Sequence, residues 1–139
     1  ISIVGEDIYL HNAISGTLPL FSYGAGLQKA VLLTALLAGN QNGILLIDEI
    51  DNAINISAFQ EIFSWFINAC RRFNIQAFVT THSAEAIDAI LENCCVETMD
   101  DIRIITLRKE ANEHKTMAIV RTGKEAIRDR SEFEMELRV

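Results

Sequence analysis

The sequence predicts an α/β domain on a parallel sheet, with helices on both faces of the sheet and an antiparallel hairpin at its C-terminal edge. Two short apolar runs, Ile44–Ile47 and residues 75–79, have the composition of strands buried on both faces. Each is followed by a stretch with helical spacing, 57–73 and 84–91, and the order strand, helix, strand, helix favours parallel pairing. Downstream, residues 102–108 and 116–121 flank the polar run EANEHK (110–115), as the two arms of a hairpin do.

Taken in order, residues 1–10 are β-branched and aromatic and read as one strand, and 12–19, which holds Gly16 and Pro19, reads as a polar loop. Residues 24–38, GAGLQKAVLLTALLA, are strong helix formers, apolar on most faces, and predict a buried helix entered through a Ser/Gly turn. Gly39 to Gly43 ends it. In the next helix Ser57 is placed to cap and Glu61 falls in the early turns. Ser83 is placed to cap the helix at 84–91, and the charged tail from Gly123 reads as a short helix plus surface chain.

The chain has 139 residues, half of them apolar, which suits one domain or a large piece of one. Twelve basic against nineteen acidic residues give a net charge of −7, which repels phosphate backbones and argues against DNA binding by this piece alone. Cys94 and Cys95 are adjacent and Cys70 stands apart, so neither a disulfide framework nor a structural zinc site is expected. Reduced thiols in a cytoplasmic protein are the simpler reading. No apolar run reaches the length of a membrane span.

Three segments carry chemistry. In ILLIDEID (44–51) an apolar strand ends in consecutive carboxylates, so packing can hold Asp48 and Glu49 rigidly at the sheet's edge. One such acid can hold Mg²⁺ through water while its neighbour orients an attacking water; a solvated acidic turn is the plainer alternative. In FVTTHS (78–83) a second strand ends in Thr80, Thr81 and His82, and a histidine there can donate to a γ-phosphate, although such a residue also serves as an ordinary cap. In SYGAGLQK (22–29) small residues precede a long helix; glycines admit an anion to the backbone, the Ser22 hydroxyl can donate, and the helix N-terminus adds positive potential. A flexible helix entry accounts for the same residues, and solvation is a sufficient account of Lys29. No G-x-x-x-x-G-K-[ST] occurs; the only Gly-Lys pair, Gly123-Lys124, is followed by Glu125.

In this order the three segments resemble the C-terminal half of ABC-type ATPase domains. Their spacing is similar to that of bacterial AAA-family ATP-binding proteins of the OLD (overcoming lysogenization defect) group and, more distantly, of SMC and RecF-like repair ATPases. The likeness covers about residues 18–91 and implies a P-loop NTPase-like lobe whose P-loop portion is missing, residues 1–139 forming one partial domain. It makes Ser22 and Gly24 the signature-loop residues that touch ATP held by an opposing subunit, Asp48 the Walker B magnesium carboxylate, Glu49 the catalytic base and His82 the switch histidine. Asn55 falls in the D-loop region, where many ABC proteins have aspartate, and the signature reads Ser-Tyr-Gly-Ala rather than Ser-Gly-Gly-Gln.

The resemblance implies ATP and Mg²⁺ as cofactors, ATP sandwiched between two copies, and a fragment inactive by itself. Its partners would be its own N-terminal P-loop half, a second copy of the domain, and a nuclease or DNA reached through regions outside this chain, with no membrane involved. Two rival readings compete with it: a regulatory module that keeps the shape and binds a protein partner without turnover, and a metal-dependent nuclease or phosphatase using Asp48, Glu49 and Asp51. Intact Asp48, Glu49 and His82 weigh against the first, and the single carboxylate cluster against the second.

Overall fold

The computed structural model describes residues 1–14, 16–93, 99–109 and 116–133, with the backbone only for 130–133. The pair Cys94 and Cys95, the run 110–115 and the tail 134–139 lie outside the described residues. In chain order the elements are β1 (Ser2–Val4), β2 (Asp7–Asn12), β3 (Gly16–Pro19), α1 (Ala25–Gly39), β4 (Ile44–Ile47), α2 (Phe59–Arg72), β5 (Gln76–Val79), α3 (Ala84–Glu92), β6 (Arg103–Lys109), β7 (Thr116–Thr122) and α4 (Gly123–Phe133).

The first twenty residues depart from expectation. One strand and a loop were predicted; three strands form an antiparallel meander in the order β1-β2-β3. Gly5, at φ +65°, permits a two-residue turn that folds Val4 back onto Asp7. The residues after Asn12 thus pair again, Leu10 opposite Leu18, where the polar composition indicated a loop.

β4 and β5 pair in parallel, Ile44 opposite Gln76 and Ile47 opposite Val79. Both begin from an asparagine in the left-handed region, Asn42 at φ +58° and Asn74 at φ +52°, a conformation asparagine tolerates because its short side chain bonds locally. The Asn74 amide donates to the Asn42 side-chain oxygen at 3.0 Å, which aligns the two strand starts.

Leu45 of β4 meets Leu33 and Leu37 of α1, Phe59, Phe63 and Phe66 of α2, and Ala86 and Ala89 of α3 in one core. These helices therefore cover one face of the β4–β5 sheet, not both as the sequence predicts. On the other face Ile44 and Leu46 are 61% and 74% exposed and Phe78 is 48% exposed. The expectation that β4 is buried on both sides is corrected accordingly. So is that of a wholly buried α1, since only Leu33 and Leu37, one turn apart, are buried there.

β6 and β7 pair antiparallel from Arg103–Thr122 to Lys109–Thr116. They form a sheet of their own and do not extend β4–β5 as predicted. A second cluster, Ile87 and Leu91 of α3 with Ala126 of α4 and the partly buried Ile104, joins this unit to the body.

Candidate functional site

The C-terminal tips of β4 and β5 are stitched together by backbone and threonine. Thr80 N–H donates to Ile47 O and Ile50 N–H to Thr80 O, each at 3.0 Å. The Thr80 hydroxyl accepts from Glu49 N–H at 2.9 Å and donates to an Asp48 carboxylate oxygen. Thr81 repeats the pattern one residue on, its hydroxyl donating to Asp51 and accepting from Ser83 N–H at 3.0 Å. Each threonine thus orients one acid across the strand boundary. Sequence reading noted both threonines and gave them no role; the available signal was a pair of hydroxyl residues at the tip of the strand beside an acidic one.

Two residues of the loop after β4 are in the left-handed region, Glu49 at φ +48° and Ala53 at φ +65°. Neither side chain favours it, and each such residue costs on the order of 1–3 kcal/mol unless its surroundings impose it. Lys29 of α1 is part of those surroundings. Its ammonium donates to the carbonyls of Glu49 at 2.9 Å and Asn52 at 2.8 Å. Burial lowers the Lys29 pKa from its ordinary value, and the Asp51 and Glu49 carboxylates oppose that shift. Solvation therefore does not account for this lysine. Nearby, a Cβ placed on Gly26 would lie 3.4 Å from Ala53 O, so the first turns of α1 run close along this loop.

Glu49, Asp51, Asn52 and His82 line one open depression of about 240 Å³. The Asn52 amide lies 3.4 Å from a Glu49 carboxylate oxygen, a long hydrogen bond. His82 is exposed and immediately precedes Ser83, whose hydroxyl caps α3 by accepting from Ala86 N–H, as its position predicts. Residues 49 and 82 thus reach the same edge of the sheet, one strand-helix unit apart.

The remaining candidates lie elsewhere. Ser22 and Gly24 precede α1, Gly24 taking the cap position with no side-chain hydrogen bond to the first turn. Neither lines the depression. Asn55 is occupied locally: its side-chain oxygen accepts from the Ser57 N–H and hydroxyl, both at 3.0 Å, and starts a short 3-10 turn, Ile56–Ala58. The cap before α2 is therefore Asn55 acting on that turn, where Ser57 was expected.

Asp48 fits a water-mediated magnesium site. The residue is exposed at a fixed strand tip and is a hard oxygen donor, and Mg²⁺ keeps several of its waters when one carboxylate and substrate phosphates hold it. Among the described residues no group of three His, Cys, Asp or Glu side chains is arranged to hold a metal ion.

Residues 7–88 match the family described as "AAA domain, putative AbiEii toxin, Type IV TA system". The chain is 31% identical over 87 residues to the uncharacterised protein MJECL11 of Methanocaldococcus jannaschii, covering 63% of this chain and 75% of that protein. It is 35% identical over 81 residues to an ATP/GTP phosphatase of Helicobacter pylori, covering 55% of this chain and only 22% of that much longer protein. A solved SMC ATPase, from work on ATP-driven dimerization and DNA-stimulated activation, superimposes with a TM-score of 0.60 at 14% identity, over 94% of this chain and 73% of its own. That likeness is one of α/β fold. Among the described residues no helix is long and apolar enough to cross a membrane.

Proposed function

The chain belongs to the AAA-domain family matched over residues 7–88, and from that membership and the geometry of the β4–β5 tips we propose that it is the C-terminal, hydrolytic part of a cytoplasmic ABC-type ATPase, within the OLD-like group. The supporting observation is that Glu49 and His82, from successive strands, line one depression beside a strand-tip Asp48. The order SYGAGLQK, ILLIDEID, FVTTHS supports the assignment to that group.

In this reading ATP is held between two copies. Asp48 would hold Mg²⁺ through water, with the Thr80 hydroxyl fixing one carboxylate oxygen. When bound, the ion would supply charge neutralisation on the phosphates. Glu49 accepts a hydrogen bond from the attacking water and aligns it, while His82 donates to the γ-phosphate oxygens, where charge develops. Ser22 and Gly24 act on the nucleotide held by the opposite copy, which is consistent with their place outside their own depression. Asn55, in the D-loop region, keeps its turn in shape at the crossing between copies. The sequence holds no G-x-x-x-x-G-K-[ST], so in this reading the phosphate-binding loop comes from polypeptide outside these 139 residues.

Glu49→Gln in the complete ATPase is the test. Turnover should fall by about 10²- to 10³-fold while ATP still drives dimer formation, measured by phosphate release and light scattering. Turnover at the wild-type rate would remove Glu49 from the mechanism.

A further inference from the structure

We infer that Lys29 is a positioning residue, which clamps the loop bearing Glu49 to the helix that follows the signature residues. The inference rests on the ATPase reading given above and adds to it a physical link between the part of the chain that senses the opposite copy's nucleotide and the part that activates water.

Three observations meet at this residue. Lys29 is seven residues after Ser22 and belongs to the second turn of α1, so it moves with the helix that Gly24 opens. Its ammonium reaches across to two main-chain carbonyls, those of Glu49 and Asn52. Those carbonyls bracket the segment between the two left-handed residues of the loop, Glu49 and Ala53, which do not favour that conformation unaided. Two charge-assisted hydrogen bonds from one cation tie both ends of the segment to α1.

The acceptors are main-chain carbonyls, so the clamp fixes the path of the backbone and leaves the Glu49 carboxylate available for chemistry. Across the loop the Thr80 hydroxyl holds Glu49 N–H, so the residue's peptide groups are held from α1 on one side and β5 on the other. A displacement of α1 on engaging the opposite copy's ATP reaches Glu49 through Lys29 and no intervening side chain. The α1 contact at Gly26 and Ala53 runs along the same path.

The test compares Lys29→Met, Lys29→Arg and Glu49→Gln in the complete ATPase. Lys29→Met keeps the length and apolar stem of the side chain and removes the donors. It should lower kcat by about 10- to 100-fold, as expected for misplacing a reacting group, with KM for ATP little changed. Lys29→Arg, which keeps a cation and its donors, should recover most of the rate. Amide exchange should quicken in residues 50–54 of Lys29→Met and stay unchanged in α2 and β5.

Full turnover by Lys29→Met alongside an inactive Glu49→Gln would overturn the role of Lys29 and leave the ATPase reading standing. A rise in KM together with a loss of thermal stability, with exchange quickened throughout, would also overturn it, by showing a general structural role. Full turnover by Glu49→Gln, or a wild type without ATPase activity, would instead reject the ATPase reading, and the inference with it.

Discussion

Glu125 shows how much a single side chain can settle locally. Its carboxylate accepts from Thr122 N–H at 2.8 Å and from the Thr122 hydroxyl at 2.9 Å, while its own N–H donates back to that hydroxyl at 3.2 Å. This reciprocal cap, T-x-x-E in the sequence, starts α4. The Thr122 N–H, followed by its hydroxyl, holds the Glu125 carboxyl below its ordinary pKa of 4.5. A carboxyl lowered on folding contributes stability above its unfolded pKa and loses it as pH falls through the folded value. Glu125→Ala should therefore lower Tm at neutral pH, with the difference from wild type shrinking below about pH 4.5; a gap that stays constant down to pH 2 would contradict this. The neighbouring Gly123 is fixed for another reason: a Cβ there would stand 2.9 Å from Met99 O, too close for any other residue. The Gly-Lys pair that superficially resembles a phosphate-loop fragment is thus the tight entry to a helix. Glu49 is the opposite case, since nothing in ILLIDEID announces a φ of +48°, which depends on Lys29 and Thr80 from two other elements.

At the scale of elements, α2 is the best-determined piece. Phe59, Phe63, Phe66, Ala69 and Cys70 recur at helical spacing and all are buried, while Glu61 lies in the first turn and Arg71 and Arg72 in the last, matching the helix dipole at both ends. Phe63 is fully buried and packs on Phe59 with ring centroids 5.2 Å apart. Phe63→Ala should cost about 3–5 kcal/mol by chemical denaturation, and a loss under 1 kcal/mol would mean that the core re-forms around the gap. Burial pushes the Cys70 thiol up to about 11, so this side chain is packing material and a poor nucleophile. α1 was harder to read. It is apolar nearly all round, so periodicity could not say which stripe, Leu33 and Leu37, would find a neighbour.

For the whole molecule, the depression at the strand tips is lined by acids, an amide and an imidazole, and the sequence holds no G-x-x-x-x-G-K-[ST] loop to cradle a triphosphate. The 139-residue chain alone is therefore expected to bind ATP no more tightly than about 1 mM in a calorimetric titration. Micromolar affinity would show that the phosphates are held by residues assigned no such role here. In the sheet, Ile44, Leu46 and Phe78 leave one face uncovered among the described residues.

Sequence by itself determined which segments become β4, α2, β5 and α3, because a four-residue apolar run or a helix-spaced stripe has few ways to bury itself. It also determined that Asp48, Glu49 and His82 follow closely on strand ends, since each lies within three residues of an apolar run in the chain. Three things waited for tertiary structure: one covered face instead of two, the separate sheet of β6 and β7, and the threonine and lysine bonds that aim the acids. The threonine and lysine bonds join residues 20 to 32 positions apart, Lys29 with Glu49 and Asp48 with Thr80. Local patterns record which residues seek burial or a partner; only the packed chain decides which partner they find.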